Sequence, residues 1–212
     1  VSLAPAYLGI FDYDKPGQVV DALLRLGFSE VRETAEGAAY VTEAYTRLLA
    51  EGQMKNIIST CCPSVNELVE KYYPELVEYM APVVSPMIAH GKLIKSMYGP
   101  DVKVVFVGPC IAKKQEAEGD DRTTGFVDAV LNFEEIESWL QERDISIREW
   151  KEKQPPNRDP KVNRLYPVTS GVISSVLAKK KVDSYKKIFV DGIEDCREVF
   201  EDMKKGLIEN CF

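Results

Sequence analysis

The chain has 212 residues and a formal net charge of −7, from 27 Lys and Arg against 34 Asp and Glu. This negative charge argues against nucleic acid or an anionic membrane surface as a general partner. A composition of 45% hydrophobic and 29% charged residues is ordinary for a soluble globular protein. No apolar run approaches the ~18–20 residues that a bilayer span needs. We therefore expect one large domain or two small lobes and no membrane span.

Five cysteines are present, at Cys61, Cys62, Cys110, Cys196 and Cys211. Their number is odd, and their spacing does not match a disulfide framework. This favours a reducing compartment, and we expect a cytoplasmic protein whose cysteines serve thiol or metal chemistry.

Hydrophobic periodicity and turn residues predict alternating strands and helices in chain order. In the first half, the predicted elements are a strand at 1–3, a helix at about 18–26, a strand at 28–32, a helix from about 34 to 50, a strand at 57–62, a helix from Pro63 to about 72, and a helix from Pro86 to about 98. In the second half they are strands at 103–108 and 128–133, a helix at 133–142, a helix from Gly171 through Leu177, a strand at 187–190, a helix at about 194–207, and a last strand near Ile208.

This alternation indicates an α/β fold with mostly parallel strands flanked by helices. The most loop-like stretch, at 153–160, predicts a division into a first lobe at about 1–152 and a second, incomplete lobe at about 161–212. Both ends of the chain look like cuts within a larger protein, so we expect a single domain truncated at each end.

Two predicted buried strands end in cysteines, one at Cys61-Cys62-Pro63 and the other at Gly108-Pro109-Cys110. If both strands belong to one sheet, their thiols meet at its carboxyl edge, where open α/β sheets bind ligands. Soft ligands from two strands suit an iron–sulfur cluster or zinc. Zinc sites usually contain cysteines two residues apart, and this sequence has none. Buried structural thiols and a nucleophilic cysteine are the remaining interpretations.

A set of motifs resembles the catalytic domain of iron-only ([FeFe]) hydrogenases in identity, order and spacing. The motifs are Ala4-Pro5, Thr60-Cys61-Cys62-Pro63, Tyr72-Tyr73-Pro74-Glu75-Leu76, Ser85-Pro86, and Pro109-Cys110-Ile111-Ala112-Lys113-Lys114-Gln115-Glu116. The resemblance covers essentially the whole chain, more weakly after residue 125. It implies two lobes of mostly parallel sheet with a cluster site between them.

The resemblance also implies a cofactor and a reaction. The family binds a [4Fe–4S] cubane joined through a cysteine to a di-iron unit that carries CO and cyanide. It interconverts protons, electrons and H₂, with a ferredoxin-like domain or protein as electron partner. By this resemblance, Cys62 and Cys110 are cubane ligands in this chain.

Further roles follow from the same motifs. Cys61 resembles the thiol that relays a proton to the di-iron unit, and Lys113 resembles the lysine that hydrogen-bonds a cyanide ligand. Glu116 and Glu43 resemble carboxylates of the proton path, and Ala4-Pro5 resembles a segment that holds the cofactor. A single turn after Cys110 would return the Lys113 ammonium to the site, where it could offset the negative charge of a cluster.

The sequence departs from the family pattern in several places. Ala81 stands where the proton path has a serine, and Met87 replaces a polar residue. Thr169-Ser170-Gly171-Val172-Ile173-Ser174 lacks the methionine and glutamate of a glycine-rich family motif. The chain stops at Phe212, before the motif that supplies two more cluster cysteines. We therefore expect these residues alone to be inactive, and the intact protein to convert hydrogen weakly or to act as a hydrogen or redox sensor.

Several of these residues also have a simpler interpretation that involves no catalytic role. A non-catalytic iron–sulfur module for cluster assembly or regulation is the alternative function. Without the motif, Lys113 would be a solvated lysine, and Glu116 and Glu43 would be surface carboxylates. His90 is the only histidine and is expected to be an ordinary helix-face residue. Cys196 and the last cysteine are expected to be packing residues.

Overall fold

A computed structural model describes residues 1–119, 123–156, 163–179 and 184–212. Part of the predicted loop at 153–160, and the first residues of the predicted second lobe, lie outside these ranges. Among the described residues, no helix combines the length and the apolar character that crossing a membrane requires.

The central sheet has four parallel strands in the order β2-β1-β3-β4. Their bounds are Ser2–Leu3 for β1, Arg32–Glu33 for β2, Val105–Val107 for β3 and Ala129–Leu131 for β4. Parallel neighbours need crossover connections, and helices supply them here. The sheet confirms the predicted α/β class. The strand expected at 28–32 is shifted to β2, because only Arg32 and Glu33 pair with β1.

Helices follow the strands along the described chain. Their bounds are α1 Gly17–Arg25, α2 Ala35–Glu51, α3 Pro63–Tyr72, α4 Pro86–Tyr98, α5 Ala112–Glu118, α6 Phe133–Glu142, α7 Gly171–Lys179 and α8 Ile193–Lys204. Short 3₁₀ turns occupy Pro5–Gly9, Pro74–Tyr79, Ile147–Glu149 and Asn163–Leu165.

Local side-chain chemistry sets several helix ends where the sequence predicted them. Ser85 caps α4, because its Oγ accepts a hydrogen bond from the Ile88 N–H at 3.4 Å. Asn132 and Glu135 form a reciprocal capping box at the start of α6. Gly52 ends α2 in the left-handed conformation, with a φ of +63°.

A hydrophobic core surrounds the sheet and includes Leu3, Leu23, Val107 and Ile136, all fully buried. Helices α2 and α4 approach each other closely at Gly37. A Cβ atom there would lie 2.3 Å from the Pro86 carbonyl oxygen. The absence of a side chain at this position therefore sets the distance between the two helices.

The predicted strand at 57–62 does not belong to the central sheet, so the expectation that both cysteine-bearing strands share one sheet is wrong. It contains a single parallel bridge, between Ile58 and Met80. The reason lies in its backbone partners. The Ile57 N–H donates to the Cys211 carbonyl at 2.9 Å, and the Ile58 N–H donates to the Tyr79 carbonyl at 2.7 Å.

The predicted strands at 187–190 and near Ile208 are not formed as strands, and their residues make only an isolated bridge and single backbone hydrogen bonds. Lys186 and Cys211 form an isolated parallel bridge, and the Ile188 N–H donates to the Phe212 carbonyl at 3.0 Å. Residues 57–58 thus lie between a segment from the middle of the chain and segments from its last thirty residues. The division into lobes at about 152 and 161 stays a prediction.

Candidate metal centre

The Cys61-Cys62 pair lies at the start of α3. Cys62 is the N-cap residue, with an extended backbone (φ −105°, ψ 110°), and Pro63 opens the first turn. Proline suits this position, because its missing N–H would have no helical partner. Cys62 is exposed and Cys61 is partly buried. The turn therefore presents one thiol outward and holds its neighbour closer to the core.

Cys110 follows the carboxyl end of β3, two residues before α5 begins. The neighbouring strand β1 ends beside it, where the Ala4 N–H donates to the Val107 carbonyl at 2.8 Å. A Cβ atom on Gly108 would lie 3.0 Å from the Ala4 Cβ. The sheet thus brings Ala4-Pro5 and Gly108–Cys110 to the same edge.

Lys113 links the Cys110 segment to the Cys61 segment. Its Nζ donates to the Cys61 carbonyl oxygen at 3.1 Å and to Glu116 Oε2 at 2.6 Å. The two side chains of this ion pair are only 11% and 9% exposed. Helices α3 and α5 also touch directly, through a 3.3 Å hydrogen bond from Gln115 to Glu67. The segments that contain Cys61 and Cys110, distant in sequence, are therefore in contact.

The Cys61 thiol lies among hydroxyl groups. Its Sγ is 3.9 Å from the Tyr45 hydroxyl. Burial raises the pKa of Cys61, while the Ser59 hydroxyl and the Lys113 cation act against this rise. Burial and the nearby Cys61 likewise raise the pKa of Tyr45. Near neutral pH both groups are therefore protonated and can donate hydrogen bonds.

Glu43 is not brought to Cys61 by the described contacts. It is an exposed residue of α2, two positions before Tyr45. Each helical residue turns the side-chain direction by about 100°, so Glu43 faces away from the side of α2 that Tyr45 occupies. Its place in a proton path stays a prediction.

Ala81 is the residue expected to replace the serine of the family's proton path. It is 4% exposed, and its N–H donates to the Ile58 carbonyl at 3.0 Å. Its methyl side chain offers no hydroxyl beside the cysteine segment. Met87 is buried in the hydrophobic core, 1% exposed.

The start of α7 replaces the glycine-rich family motif. Ser170 has a φ of +64°, and a Cβ atom on Gly171 would lie 1.8 Å from the Leu165 carbonyl oxygen. Only glycine fits at 171, because the helix begins directly against the preceding turn.

The other two cysteines are buried in the hydrophobic cluster that contains Val69 and Phe200. Burial, and secondarily the charge of nearby Cys62, raises the pKa of Cys196. Cys211 donates its thiol to Asn56 Oδ1 at 3.4 Å. Within the described residues, no group of three or more His, Cys, Asp or Glu side chains is arranged to hold a metal ion.

Two buried polar networks were not identified from the sequence. One centres on His90, which is fully buried rather than an ordinary helix-face residue. Its Nδ1 lies 2.8 Å from Ser2 Oγ and its Nε2 lies 3.1 Å from Glu36 Oε2. Burial lowers the pKa of His90. Burial alone would raise the pKa of Glu36, but hydrogen bonds from His90 and Arg32 lower it to about 2.

The second network joins β2 to the turn at Asn163–Leu165. Glu33 is fully buried and accepts two hydrogen bonds from the Arg164 guanidinium, at 2.5 and 2.7 Å. It also accepts one from the Tyr7 hydroxyl at 3.2 Å. Sequence periodicity gives no signal for the pair of Glu33 and Arg164, because its members are 131 residues apart. They fix the segment near 164 against the carboxyl edge of the sheet.

Comparison with known proteins identifies the family. Residues 1–212 match the model of the iron-only hydrogenase large subunit, C-terminal domain. The chain belongs to this family. It is 28% identical to iron hydrogenase 1 of Clostridium pasteurianum over 192 residues, which cover 81% of this chain and 33% of that protein.

A second relative is the periplasmic [Fe] hydrogenase large subunit of Nitratidesulfovibrio vulgaris. It is 28% identical over 213 residues, which cover 86% of this chain and 49% of that protein. Among solved structures, the chain is similar to a variant of apo [FeFe]-hydrogenase HydA1 from Chlamydomonas reinhardtii. The TM-score is 0.63 at 27% identity, covering 74% of this chain and 45% of that one. The chain therefore spans about a third to a half of the length of these relatives.

The donor set suits the family's cluster. Thiolates are the usual ligands of iron–sulfur clusters, and both Cys62 and Cys110 are free cysteines. Cys62 is the N-cap residue of α3 and Cys110 lies two residues before α5, in segments that Lys113 holds together. The lysine also places a positive charge, paired with Glu116, beside the Cys61 carbonyl. The residues present thus fit part of a cluster site.

Proposed function

We propose that this chain is an iron–sulfur domain of the [FeFe] hydrogenase type. When bound, a [4Fe–4S] cubane with its di-iron unit would supply the redox chemistry that interconverts protons, electrons and H₂. The observation that carries the proposal is the hydrogen bond from Lys113 to the Cys61 carbonyl oxygen. All 212 residues of this chain match the family's domain model. The hydrogen bond ties the two cysteine motifs into one site.

In this proposal Cys62 and Cys110 hold the cubane through their thiolates. A cubane takes four ligands, so the proposal requires two further thiolates from other residues. The exposure of Cys62 supports its role, because a ligand must be reachable by the incoming cluster.

Cys61 holds and releases the proton. Its thiol is protonated near neutral pH because burial raises its pKa. Lys113 keeps a cation at the site, and Glu116 holds that cation in place from one turn further along α5. Ala4-Pro5 borders the same edge of the sheet and would form one wall of the cofactor site.

We propose sensing or slow turnover in preference to fast hydrogen production. Ala81 offers no hydroxyl near the cysteines, and Glu43 faces away from them. Both features weaken the proton path that the motifs imply. The electron partner would be a ferredoxin-like domain or protein, in the cytoplasm, with the cluster between two lobes.

A non-catalytic iron–sulfur module is the second candidate. The exposed position of Glu43 and the methyl group of Ala81 favour it, because cluster binding needs no proton path. Cluster binding is common to both candidates, and hydrogen chemistry distinguishes them.

Hydrogen–deuterium exchange with D₂ tests the proposal. The full-length protein is loaded with iron, sulfide and a synthetic di-iron unit, and HD formation is followed by mass spectrometry. We expect measurable exchange that Cys61→Ala abolishes while the cubane spectrum is retained. Equal exchange in wild type and Cys61→Ala would refute the proton role. An intact cluster without any exchange in the wild type would favour the non-catalytic module.

A further inference from the structure

Thr60, the residue before the cysteine pair, is held almost entirely by side chains. We propose that Tyr45 and Asn66 are positioning residues that fix Cys61 and Cys62 for cluster binding by clamping the Thr60 peptide from two helices. The inference rests on the proposed cluster function and adds two residues that the family motifs do not include.

The first half of the clamp is the Tyr45 hydroxyl from α2. The Thr60 backbone N–H donates to it at 2.9 Å, and it also lies 3.1 Å from Thr60 Oγ1. Tyr45 is fully buried, and its ring packs against Phe212 with centroids 5.3 Å apart. A buried aromatic side chain has little freedom, so this acceptor occupies a fixed position.

The second half is the Asn66 amide from the first turn of α3. Its Nδ2 donates to the Thr60 carbonyl oxygen at 3.1 Å. The Asn66 backbone N–H donates to the Cys62 carbonyl at 3.1 Å, so the same residue holds the chain on both sides of Cys61. These bonds close the backbone from Thr60 to Asn66 into a hydrogen-bonded loop that contains both cysteines.

The Thr60 side chain completes the arrangement. Its Oγ1 donates to the Val83 carbonyl at 2.6 Å and approaches the Ala81 carbonyl at 3.1 Å. The ladder that orders residues 57–58 ends before Thr60, whose backbone N–H and carbonyl are instead satisfied by the two side chains. Without them, the last residues before the cysteines would lose their register.

The buried Asn66 amide is energetically unfavourable, and this supports a positioning role. Its Oδ1 is buried and has no hydrogen-bond partner among the described residues. A buried acceptor without a partner destabilises a protein, so an apolar residue would suit this place better if packing alone mattered. What the amide provides is the donor to Thr60.

Cluster retention in the full-length protein tests the clamp. Wild type, Tyr45→Phe and Asn66→Leu are reconstituted with iron and sulfide, and cluster loss to EDTA is followed by visible absorption. We expect both variants to lose the cluster at least about tenfold faster, as outer-shell changes at metal sites do. The EPR spectrum of the reduced cluster should change as well. Tyr40→Phe is the matched control, because Tyr40 is an exposed tyrosine of the same helix.

A second arm uses cluster-free protein and separates the two proposals. Iodoacetamide alkylation of Cys62 is compared with that of Cys110 in the same molecules by mass spectrometry. Loss of the clamp should raise the Cys62 to Cys110 rate ratio by roughly two- to tenfold, the ratio that one net hydrogen bond supports.

The outcomes are distinct. If wild type takes up no cluster, the cluster function fails, and the alkylation ratio alone decides the positioning role. If wild type holds a cluster while Tyr45→Phe and Asn66→Leu match it in EDTA resistance, EPR spectrum and alkylation ratio, the clamp is refuted and the cluster function stands.

Discussion

Lys113 and Glu116 form a nearly buried ion pair whose partners depend on each other. Removing one charge leaves the other poorly solvated, so we expect Lys113→Met to lower the free energy of unfolding by about 3 kcal/mol. Lys113→Met with Glu116→Gln should cost less than the sum of the single changes, with a coupling of about 1–3 kcal/mol. Urea denaturation of the four proteins measures this coupling. Additive effects would show that the 2.6 Å contact contributes nothing to stability.

His90 makes the stability depend on pH. Its pKa is lowered by burial, so on acidification the unfolded chain, with a histidine pKa of about 6.5, binds the proton first. The free energy of unfolding should therefore fall as the pH falls from about 7 towards 5. Only below that range does the depressed pKa of Glu36, about 2, add a further loss.

The variant His90→Gln tests this pH dependence of stability. It should be less stable than wild type at pH 8, because Ser2 and Glu36 lose their ring partner. Its slope between pH 7 and 5, in denaturation measured at several pH values, should be smaller than that of wild type, with the Val1 ammonium, whose pKa burial lowers to about 6, supplying the remainder. An unchanged slope would assign the pH dependence to other groups.

At the residue scale, contacts between residues close in sequence could be predicted, and contacts between distant residues could not. Cys110 and Lys113 are three positions apart on a turn and a helix start, so their proximity followed from spacing. By its spacing, Tyr45 is one more residue on the apolar face of an amphipathic helix. Its hydroxyl contact with Thr60 depends on how α2 lies against residues 57–60, and local periodicity contains no information about that.

At the element scale, the capping box of α6 makes a direct test of helix-end stability. Asn132 Oδ1 accepts from the Glu135 N–H at 2.7 Å, and Glu135 accepts from the Asn132 N–H at 2.8 Å. Asn132→Ala should lower the free energy of unfolding by about 1 kcal/mol in urea denaturation. Asn132→Asp keeps an acceptor and should change little. A neutral Asn132→Ala would show that the cap is dispensable.

The α2–α4 crossing gives a second test at this scale. Gly37→Ala places a methyl group against the Pro86 carbonyl and His90, so the helices must separate. We expect a loss of about 2 kcal/mol, typical of an overpacked core, measured as a lowered urea midpoint. Gly9→Ala is the control, because no atom lies within 4 Å of the position that its methyl group would take. Equal stability of the two variants would contradict the close crossing.

Helices were easier to predict than strands for a physical reason. The bounds of α6 follow from its own cap residues and its own periodicity. The segment at 57–62 has the apolar residues of a buried strand, but its partners are residues near 79 and 211. Strand pairing is set by distant parts of the chain, so sequence alone assigned this segment to the central sheet, which it does not join.

At the scale of the whole molecule, the proposed function depends on one shared site. The sheet places Gly108, two residues before Cys110, against Ala4. Helix α3 begins after the exposed Cys62, and Lys113 joins the two cysteine segments. The family resemblance was visible in the motifs, because their order and spacing are encoded locally. The contact that joins the two cysteine segments, from Lys113 Nζ to the Cys61 carbonyl oxygen, spans 52 residues and required the fold.

Iron–sulfur content is the measurement that tests the proposed cluster site most directly. The full-length protein is reconstituted anaerobically as wild type, Cys62→Ser, Cys110→Ser and, as control, Cys196→Ser. Mössbauer spectroscopy then quantifies the cubane in each. We predict a [4Fe–4S] signal in wild type and Cys196→Ser, and its loss or conversion to a smaller cluster in the other two. A full cubane signal in both Cys62→Ser and Cys110→Ser would contradict the ligand assignment and with it the shared site.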